Sequence, residues 1–317
     1  MRLCINTNRA LLLTWVPILL LGLATLCSAE PIKFALAPSI PGPHQQYEKI
    51  VDNADSKVLK SITRYQKKPD KDARARAWTS AIAYLNDKTN LDIQLLLPES
   101  QLQFERNLAL GTYEVAYMTP IQFIAAERSQ QYQALVKRKA EPLRGLILVQ
   151  QTDAATTLRD IENDPFGLPG LLHYSASVLP RVSLENLGFK LTYDLYNDQD
   201  LLVEALLKGD IRSGSVSQYT YFSLSPKQQT ELKILWETPG FSPYAMAAHP
   251  RMPFYSINKL QRAFVNLSKN AEFQPLLEDL HARNGFEIAR NSDWYDAEKI
   301  DIDKLNHQIR LAPAPVL

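Results

Sequence analysis

The chain has 317 residues, of which 22% are charged and 45% hydrophobic, and its formal net charge is +1. This near-neutral balance argues against a nucleic-acid-binding protein, which would carry a clear excess of lysine and arginine. The length suffices for two ordinary lobes, each with its own hydrophobic core.

The first 29 residues have the pattern of a secretory signal peptide. Arg2 and Arg9 supply positive charge, residues 10–26 are almost wholly apolar, and the stretch ends in a small-x-small cleavage site at Ala29. These three features in this order predict export and cleavage after Ala29.

Two alternatives to a cleaved leader stay open. A membrane anchor is disfavoured because the run is shorter than the ~20 apolar residues that a spanning helix needs, and Pro17 interrupts it. A lipoprotein attached through Cys27 is a minor option, because a small residue is expected before a lipidated cysteine and Leu26 stands there.

The leader contains both cysteines, so the mature chain has neither a disulfide nor a thiol. Loss of Arg2 and Arg9 leaves 33 basic against 34 acidic residues, a charge of about −1. We therefore expect a soluble protein outside the cytoplasm.

Strand-like and helix-like segments alternate along the mature chain. The hydrophobic periodicity predicts strands at 32–38, 91–97, 113–118, 133–138, 144–150, 190–196 and 211–216, and helices at 47–65, 77–90, 100–110, 120–127, 157–164, 177–187, 198–208, 256–268, 271–283 and 301–310. This alternation predicts α/β lobes with largely parallel sheets.

Two segments share one plan of helix, glycine, strand and hydroxyl. Thr119 follows Gly111 by eight residues, and Ser217 follows Gly209 by the same number. The carboxyl end of a strand faces the ligand crevice in open α/β sheets. The repeated plan therefore suggests two similar lobes facing one cleft, although helix–glycine–strand units are common enough to match by chance.

The stretch "HYSASVLPR", residues 173–181, places small donors at the predicted start of a helix. A serine here serves either as an N-cap, which stabilises a helix by ~1 kcal/mol, or as a donor to a ligand. The amino end of a helix receives anions well, since its N–H groups are unpaired and carry partial positive charge. The two roles are compatible.

Five motifs, in order, resemble the phosphate/phosphite/phosphonate-binding group of periplasmic solute-binding proteins, which serve ABC importers. The motifs span roughly residues 78 to 250 and read "YLNDKTNLDI", "GTYEVAYMTP", "HYSASVLPR", "ALLKGDIRSGSV" and "LWETP". Each is weak alone, but their shared order is fairly specific.

The resemblance implies the type II periplasmic binding fold, with two α/β lobes joined by a hinge of two crossings. Lobe 1 would contain residues 30–143 and 246–317, and lobe 2 residues 144–245. The crossings would lie near 140–147 and 242–249. A small oxyanion would bind between the lobes, and closure would present the protein to a membrane permease.

The resemblance and the strand ends together give ten candidate ligand-binding residues. They are His173, Tyr174, Ser175, Ser177, Tyr117, Thr119, Ser217, Gln218, Tyr219 and Ser39. Tyr174 and Ser175 align with the central hydroxyls of the family's cluster. Residues 217–219 lack the carboxylate by which some family members recognise an amine, so binding of an aminoalkyl tail is doubtful.

Local motifs for catalysis, metal binding or cofactor binding are lacking in the mature sequence, so we expect a binding protein without a cofactor or metal ion. A periplasmic hydrolase is the rival, with His173 beside Ser175 as the only adjacent base and nucleophile. A sensory module is a further alternative, in which the extra helix at 47–65 would contact a sensor kinase or cyclase.

Overall fold

A computed structural model describes residues 30–40, 71–139 and 142–301. Within these residues, eleven strands form two mixed sheets with helices packed around them. The two-lobed α/β fold expected from the sequence is confirmed, although the exact lobe limits stay a prediction. None of the described helices is both long and apolar enough to cross a membrane.

The first sheet has six strands in the order β11-β4-β10-β3-β1-β2. Its strands are β1 Ile32–Leu36, β2 Ile93–Leu96, β3 Val115–Met118, β4 Gln133–Arg138, β10 Ala245–Ala248 and β11 Phe286–Ile288. β1 pairs in parallel with β2 and β3, whereas β10 is antiparallel to both β3 and β4. Strands β1, β3 and β4 therefore run in the same direction and end at the same edge.

The second sheet has five strands in the order β7-β6-β8-β5-β9. Its strands are β5 Gly145–Gln150, β6 Phe166–Leu168, β7 Tyr193–Leu195, β8 Ser213–Ser217 and β9 Leu232–Glu237. β6 is parallel to β7 and β8, and β5 is antiparallel to β8 and β9. The end of β8 and the start of β5 therefore share one edge.

Nine α-helices lie in the described residues. They are α1 Lys71–Thr89, α2 Gln101–Ala109, α3 Pro120–Gln130, α4 Leu179–Asn186, α5 Gln199–Lys208, α6 Gln218–Ser223, α7 Pro226–Glu231, α8 Phe254–Leu267 and α9 Gln274–Asp279. A π-helical turn, Tyr174–Val178, leads directly into α4. α5 ends at Gly209, whose φ of +77° is the left-handed conformation that glycine adopts without a steric cost.

The apolar core divides between the two sheets. The largest cluster surrounds the first sheet and includes Phe34, Trp78 and Phe264. Two smaller clusters cover the opposite faces of the second sheet. Tyr174 and Leu179, which belong to the π turn and α4, pack into the cluster of the first sheet. The π turn is therefore in contact with both halves of the molecule.

The chain crosses between the sheets twice, after β4 and after β9. The two crossings pair with each other through reciprocal backbone hydrogen bonds between Leu143 and Phe241, with N···O distances of 2.7 and 3.0 Å. This pairing keeps the two connections side by side, next to the sheet edges at which β4 ends and β5 begins.

The structure corrects three sequence-based expectations. The sheets are mixed rather than largely parallel, because each crossing returns the chain in the opposite direction. The predicted turn "PFGLPG" contains strand β6, and the predicted helix at 157–164 is only the short 3₁₀ turn Leu158–Ile161. The predicted helix at 47–65 and residues 302–310 lie outside the described residues.

Candidate functional site

Polar residues gather where the carboxyl ends of the strands meet. In the first sheet, β3 ends just before Thr119, and β4 ends at Arg138. Tyr244 precedes β10, which runs the other way, so it reaches the same edge. Ser217 ends β8 at the corresponding edge of the second sheet. Open α/β sheets bind their ligands at such edges.

Arg138 is the most unusual residue at this edge, because it is 2% exposed and carries a full charge. Its Nη1 donates to the carbonyl of His281 at 3.0 Å, and its Nη2 donates to the phenol of Tyr219 at 2.9 Å. Its Nε is buried without a hydrogen-bond partner. No carboxylate in the described part of the chain forms an ion pair with it.

Aromatic rings surround the guanidinium of Arg138. Its central carbon lies 5.2 Å from the ring centroid of Tyr219 and 5.3 Å from that of Tyr244, within the range of cation–π attraction. The ring of Tyr117 lies 6.1 Å from that of Tyr244. We call Arg138, Tyr117, Tyr219 and Tyr244 the Arg138 cluster.

The phenols of the Arg138 cluster are hydrogen-bond donors at neutral pH. Burial raises the pKa of Tyr117 to about 12. Burial likewise raises the pKa of Tyr244 above its ordinary value. Because these phenols stay protonated, they can donate to an oxyanion. The Tyr117 hydroxyl has no hydrogen-bond partner in the described residues.

The π turn brings hydroxyls from the second half of the molecule to the same place. Tyr174 is 2% exposed, and both Ser175 and Ser177 are completely buried. The side chain of Ser175 lies near the phenol of Tyr244 and lowers the pKa of Tyr244 against the larger effect of burial. The hydroxyls of Tyr174, Ser175 and Ser177 have no hydrogen-bond partner among the described residues.

The closeness of the π turn to the second sheet depends on Gly145 at the start of β5. A Cβ atom at position 145 would collide with the carbonyl oxygen of Ser175 and would lie 2.5 Å from Cγ of Pro180. Real Cβ atoms do not approach other atoms so closely. Glycine at 145 therefore permits the π turn to lie directly on the strand.

His173 caps the π turn. Its Nδ1 accepts from the backbone N–H of Ala176 at 3.3 Å, and its Nε2 lies 2.9 Å from the side-chain amide of Gln199. Gln199 also accepts from the backbone N–H of Ser217 at 2.6 Å. His173 thereby connects the π turn with the end of β8 and places neither ring nitrogen on Ser175.

Desolvation keeps the His173 ring neutral. The residue as a whole is only half-buried, but its ring is shielded, and burial lowers its pKa to about 4. A neutral ring can accept the hydrogen bond from Ala176 at physiological pH, which a charged imidazolium could not do.

The repeated helix–glycine–strand–hydroxyl plan is present in the structure. Gly111 and Gly209 both have positive φ, and β3 and β8 follow them. Thr119 caps α3 by accepting from the N–H of Gln122 at 3.3 Å, and Ser217 caps α6 by accepting from the N–H of Thr220 at 3.1 Å. Both hydroxyls are thus used as helix caps, and their contact with a ligand stays a prediction.

The other two candidates lie at the edges of this region. The Ser39 hydroxyl is buried and has no partner in the described residues, in a loop that Arg74 holds through the carbonyls of Ala37, Pro38 and Ile40. Gln218 begins α6, and its backbone N–H donates to the carbonyl of Arg144 at 3.3 Å.

Sequence reasoning missed Arg138 and Tyr244. Both belong to the edge where Thr119 was predicted, and the signal for Arg138 was available: it is the last residue of the predicted strand "QALVKR".

Within residues 30–40, 71–139 and 142–301, no group of histidine, cysteine or carboxylate side chains could hold a metal ion.

Several solved structures share this fold. A binding-protein component of an ABC phosphonate transporter from Pseudomonas aeruginosa has a TM-score of 0.60 and 14% identity, with 88% of this chain and 89% of that chain covered. PhnD1 from Prochlorococcus marinus, in complex with methylphosphonate, has a TM-score of 0.63 and 14% identity, with 87% and 98% covered.

A protein from Xanthomonas citri, bound to ATP, has a TM-score of 0.61 and 11% identity, with 89% of this chain and 99% of that chain covered. At such low identities these structures show the fold alone. No curated protein sequence matches the chain.

A family described as "ABC transporter, phosphonate, periplasmic substrate-binding protein" matches residues 68–294, well over half of the chain. The matched range contains the Arg138 cluster, the π turn and both copies of the repeated plan. The chain therefore belongs to the phosphonate-binding family of periplasmic substrate-binding proteins of ABC transporters.

Proposed function

We propose that this protein captures a small oxyanion, a phosphonate or a related phospho-anion, between its two lobes and delivers it to the permease of an ABC importer. Family membership supports this class of function, and the methylphosphonate held by PhnD1 of Prochlorococcus marinus supports the ligand class.

The observation that carries the proposal is the environment of Arg138. A buried cation costs several kcal/mol unless it is paired with a charge of opposite sign. Arg138 has no such partner in the described residues, and the groups around it are neutral. An anionic ligand would supply the missing charge and would also accept from its unpartnered Nε.

Protonated hydroxyls complete the proposed site. Tyr117 from the first sheet, and Tyr174, Ser175 and Ser177 from the π turn, are buried hydroxyls that would donate to the anion beside Arg138. Thr119, Ser217, Gln218, Tyr219, His173 and Ser39 lie on the flanking elements and remain proposed ligand-binding residues. Hydroxyls fit a tetrahedral anion because each donates one hydrogen bond without adding charge.

Binding and closure would be coupled in this arrangement. Arg138 belongs to the proposed lobe 1 (residues 30–143 and 246–317), and the π turn and Tyr219 belong to the proposed lobe 2 (residues 144–245). An anion that bonds to both sides stabilises the closed arrangement, in which Arg138 already contacts Tyr219. The hinge would be the two paired crossings between the sheets.

We also propose export through a signal peptide at residues 1–29, followed by function as a monomer in the periplasm. The family supports a periplasmic location. The positive charge, apolar run and cleavage site at the N-terminus support cleavage after Ala29.

Binding rather than catalysis is the proposed role. The rival hydrolase requires His173 to take a proton from Ser175. The ring nitrogens of His173 are directed to Ala176 and Gln199 instead, and the Ser175 hydroxyl has no hydrogen-bond partner in the described residues. This geometry supports a capping role for His173.

Calorimetric titration and thermal unfolding with phosphate, phosphite and methylphosphonate test the proposal, with acetate as the control anion. A ligand present at 100 times its dissociation constant adds about 2.7 kcal/mol to the free energy of unfolding. We expect one of the three phospho-anions to raise the Tm by several degrees. The proposal fails if none of them binds, or if acetate binds equally well.

A further inference from the structure

A cavity of about 490 Å³ lies beside the proposed anion site. It is bounded by α2 and α3 on one side and by the segment before and within the π turn on the other. Its volume is in the range of ligand pockets. The apolar part of its wall includes Leu108, Ile121, Ala125, Leu171, Leu172 and Val178.

The cavity and the anion site share Tyr174. This residue lines the cavity, and its phenol is close enough to Tyr244 of the Arg138 cluster for Tyr244 to contribute, after burial, to raising the pKa of Tyr174. Thr119, which also lines the cavity, directly follows β3, and Met118 of that strand pairs with Ala245, the neighbour of Tyr244. A ligand held at the Arg138 cluster would therefore have the cavity next to it.

Four polar side chains of the cavity are paired with one another, namely Gln101, Glu105, Thr119 and Gln122. Glu105 accepts from the side-chain amide of Gln101 at 2.8 Å and from that of Gln122 at 3.0 Å. Thr119 and Gln122 form a reciprocal pair of hydrogen bonds at the start of α3. The rest of the cavity wall is mainly apolar, with Ser129 and Tyr174 as its remaining polar residues.

We propose that this cavity receives an apolar alkyl or aryl substituent of the ligand, whose phosphonate head is bound at the Arg138 cluster. The inference rests on the proposed function and narrows it from a bare oxyanion to an organophosphonate with a hydrophobic tail. Both halves of the molecule contribute to the wall, so the tail, like the head, is enclosed only when the lobes are together.

A series of ligands measures the contribution of the tail. We expect n-butylphosphonate and phenylphosphonate to bind at least tenfold more tightly than methylphosphonate in calorimetric titrations, because each buried methylene improves affinity roughly fourfold. n-Propylphosphonate should bind more tightly than 2-aminoethylphosphonate, which has the same length but ends in a charged amine.

Two variants locate the tail. Ala125 is exposed and faces the cavity, so Ala125→Phe fills the cavity without disturbing the core. The matched control is Ala83→Phe, because Ala83 is exposed on α1 and does not line the cavity. We expect A125F to bring the butyl-to-methyl affinity ratio close to one, and A83F to keep the wild-type ratio.

The proposal is overturned if methyl, butyl and phenyl ligands bind alike, if A125F keeps the wild-type ratio, or if 2-aminoethylphosphonate binds more tightly than n-propylphosphonate. In each of these cases binding of the phosphonate head would survive, and with it the proposed function. Failure of every phosphonate and of phosphate to bind would instead overturn the proposed function together with this extension of it.

Discussion

Two arginines, one associated with each sheet, have opposite electrostatic surroundings. Arg212, directly before β8 of the second sheet, is partly exposed and forms ion pairs with Asp153 at 2.9 Å and Asp164 at 2.6 Å. Arg138, in the first sheet, is buried among phenols and a backbone carbonyl, without a carboxylate in the described residues.

The difference separates an arginine that stabilises local structure from one that we propose binds the ligand. The hydrogen bonds from Arg212 lower the pKa of Asp153, so each partner stabilises the charge of the other. No carboxylate in the described residues does this for Arg138, although burial makes the need greater. A buried cation without an anionic partner can be neutralised by an anionic ligand.

Replacement of Arg138 is expected to have the largest effect. Arg138→Gln removes the charge and the forked donors, so methylphosphonate binding should weaken by about 2–5 kcal/mol, roughly 30-fold or more. The ligand-free variant should be no less stable than the wild type, since an unpaired buried charge has been removed. Calorimetric titration and chemical unfolding measure the two effects.

Arg212→Gln is the matched control and should show the reverse pattern. Its affinity for methylphosphonate should stay within about twofold of the wild type, while its free energy of unfolding falls by up to about 1 kcal/mol. Loss of binding in R212Q, or full binding in R138Q, would remove the distinction between the two arginines.

A smaller effect is expected from the strand beneath the π turn. Gly145→Ala would push the carbonyl of Ser175 and the ring of Pro180 away, which should reduce both stability and affinity by about 1–3 kcal/mol. Gly170→Ala serves as the comparison, because nothing lies within 4 Å of its added Cβ. G170A should lower the free energy of unfolding, because of the positive φ at this position, but should leave the affinity for methylphosphonate unchanged. A G145A protein with normal affinity would contradict the account.

The pH dependence of stability should report the neutral state of His173. Its pKa is about 4 in the folded protein, below its ordinary value of 6.5. Between these values the unfolded state binds more protons, so stability is complete above pH 6.5 and declines as pH falls towards 4. We expect this group to change the free energy of unfolding by about 1–2 kcal/mol over this range, a value reduced to allow for its partial exposure.

His173→Asn isolates this effect, because asparagine can still cap the turn but does not titrate. Between pH 4 and pH 7, the free energy of unfolding should change less with pH in the variant than in the wild type. Identical slopes would mean that the ring is not shielded.

The smallest expected change concerns the contact across the lobes. Tyr219→Phe keeps the ring over Arg138 but removes the hydroxyl that accepts from it at 2.9 Å. We expect an affinity loss of about 0.5–1.5 kcal/mol, less than in R138Q, because only one hydrogen bond disappears. A loss as large as in R138Q would mean that the Tyr219 hydroxyl, rather than the charge of Arg138, contributes most to ligand binding.

Local parts of the site could be predicted from the sequence. The spacing from Gly111 to Thr119 and from Gly209 to Ser217 identified two strand ends with capping hydroxyls, because helix stops and helix caps depend on neighbouring residues. The hydroxyl-rich start of α4 was also located, although its π-helical form was not.

Contacts between distant segments could not be predicted in the same way. Arg138 meets Tyr219, which is 81 residues away, and this contact requires the order of strands in two separate sheets. β10 lies between β3 and β4 only because the chain returns to the first sheet after the second crossing. That return also makes the sheets mixed, and helix and strand periodicity carries no information about it.

A crystal structure of the complex with methylphosphonate tests the central claim most directly. The account predicts a phosphonyl oxygen about 2.7–2.9 Å from a guanidinium nitrogen of Arg138, with hydroxyls of the π turn donating to the same group. Methylphosphonate bound elsewhere, with Arg138 still in contact only with Tyr219 and His281, would contradict it.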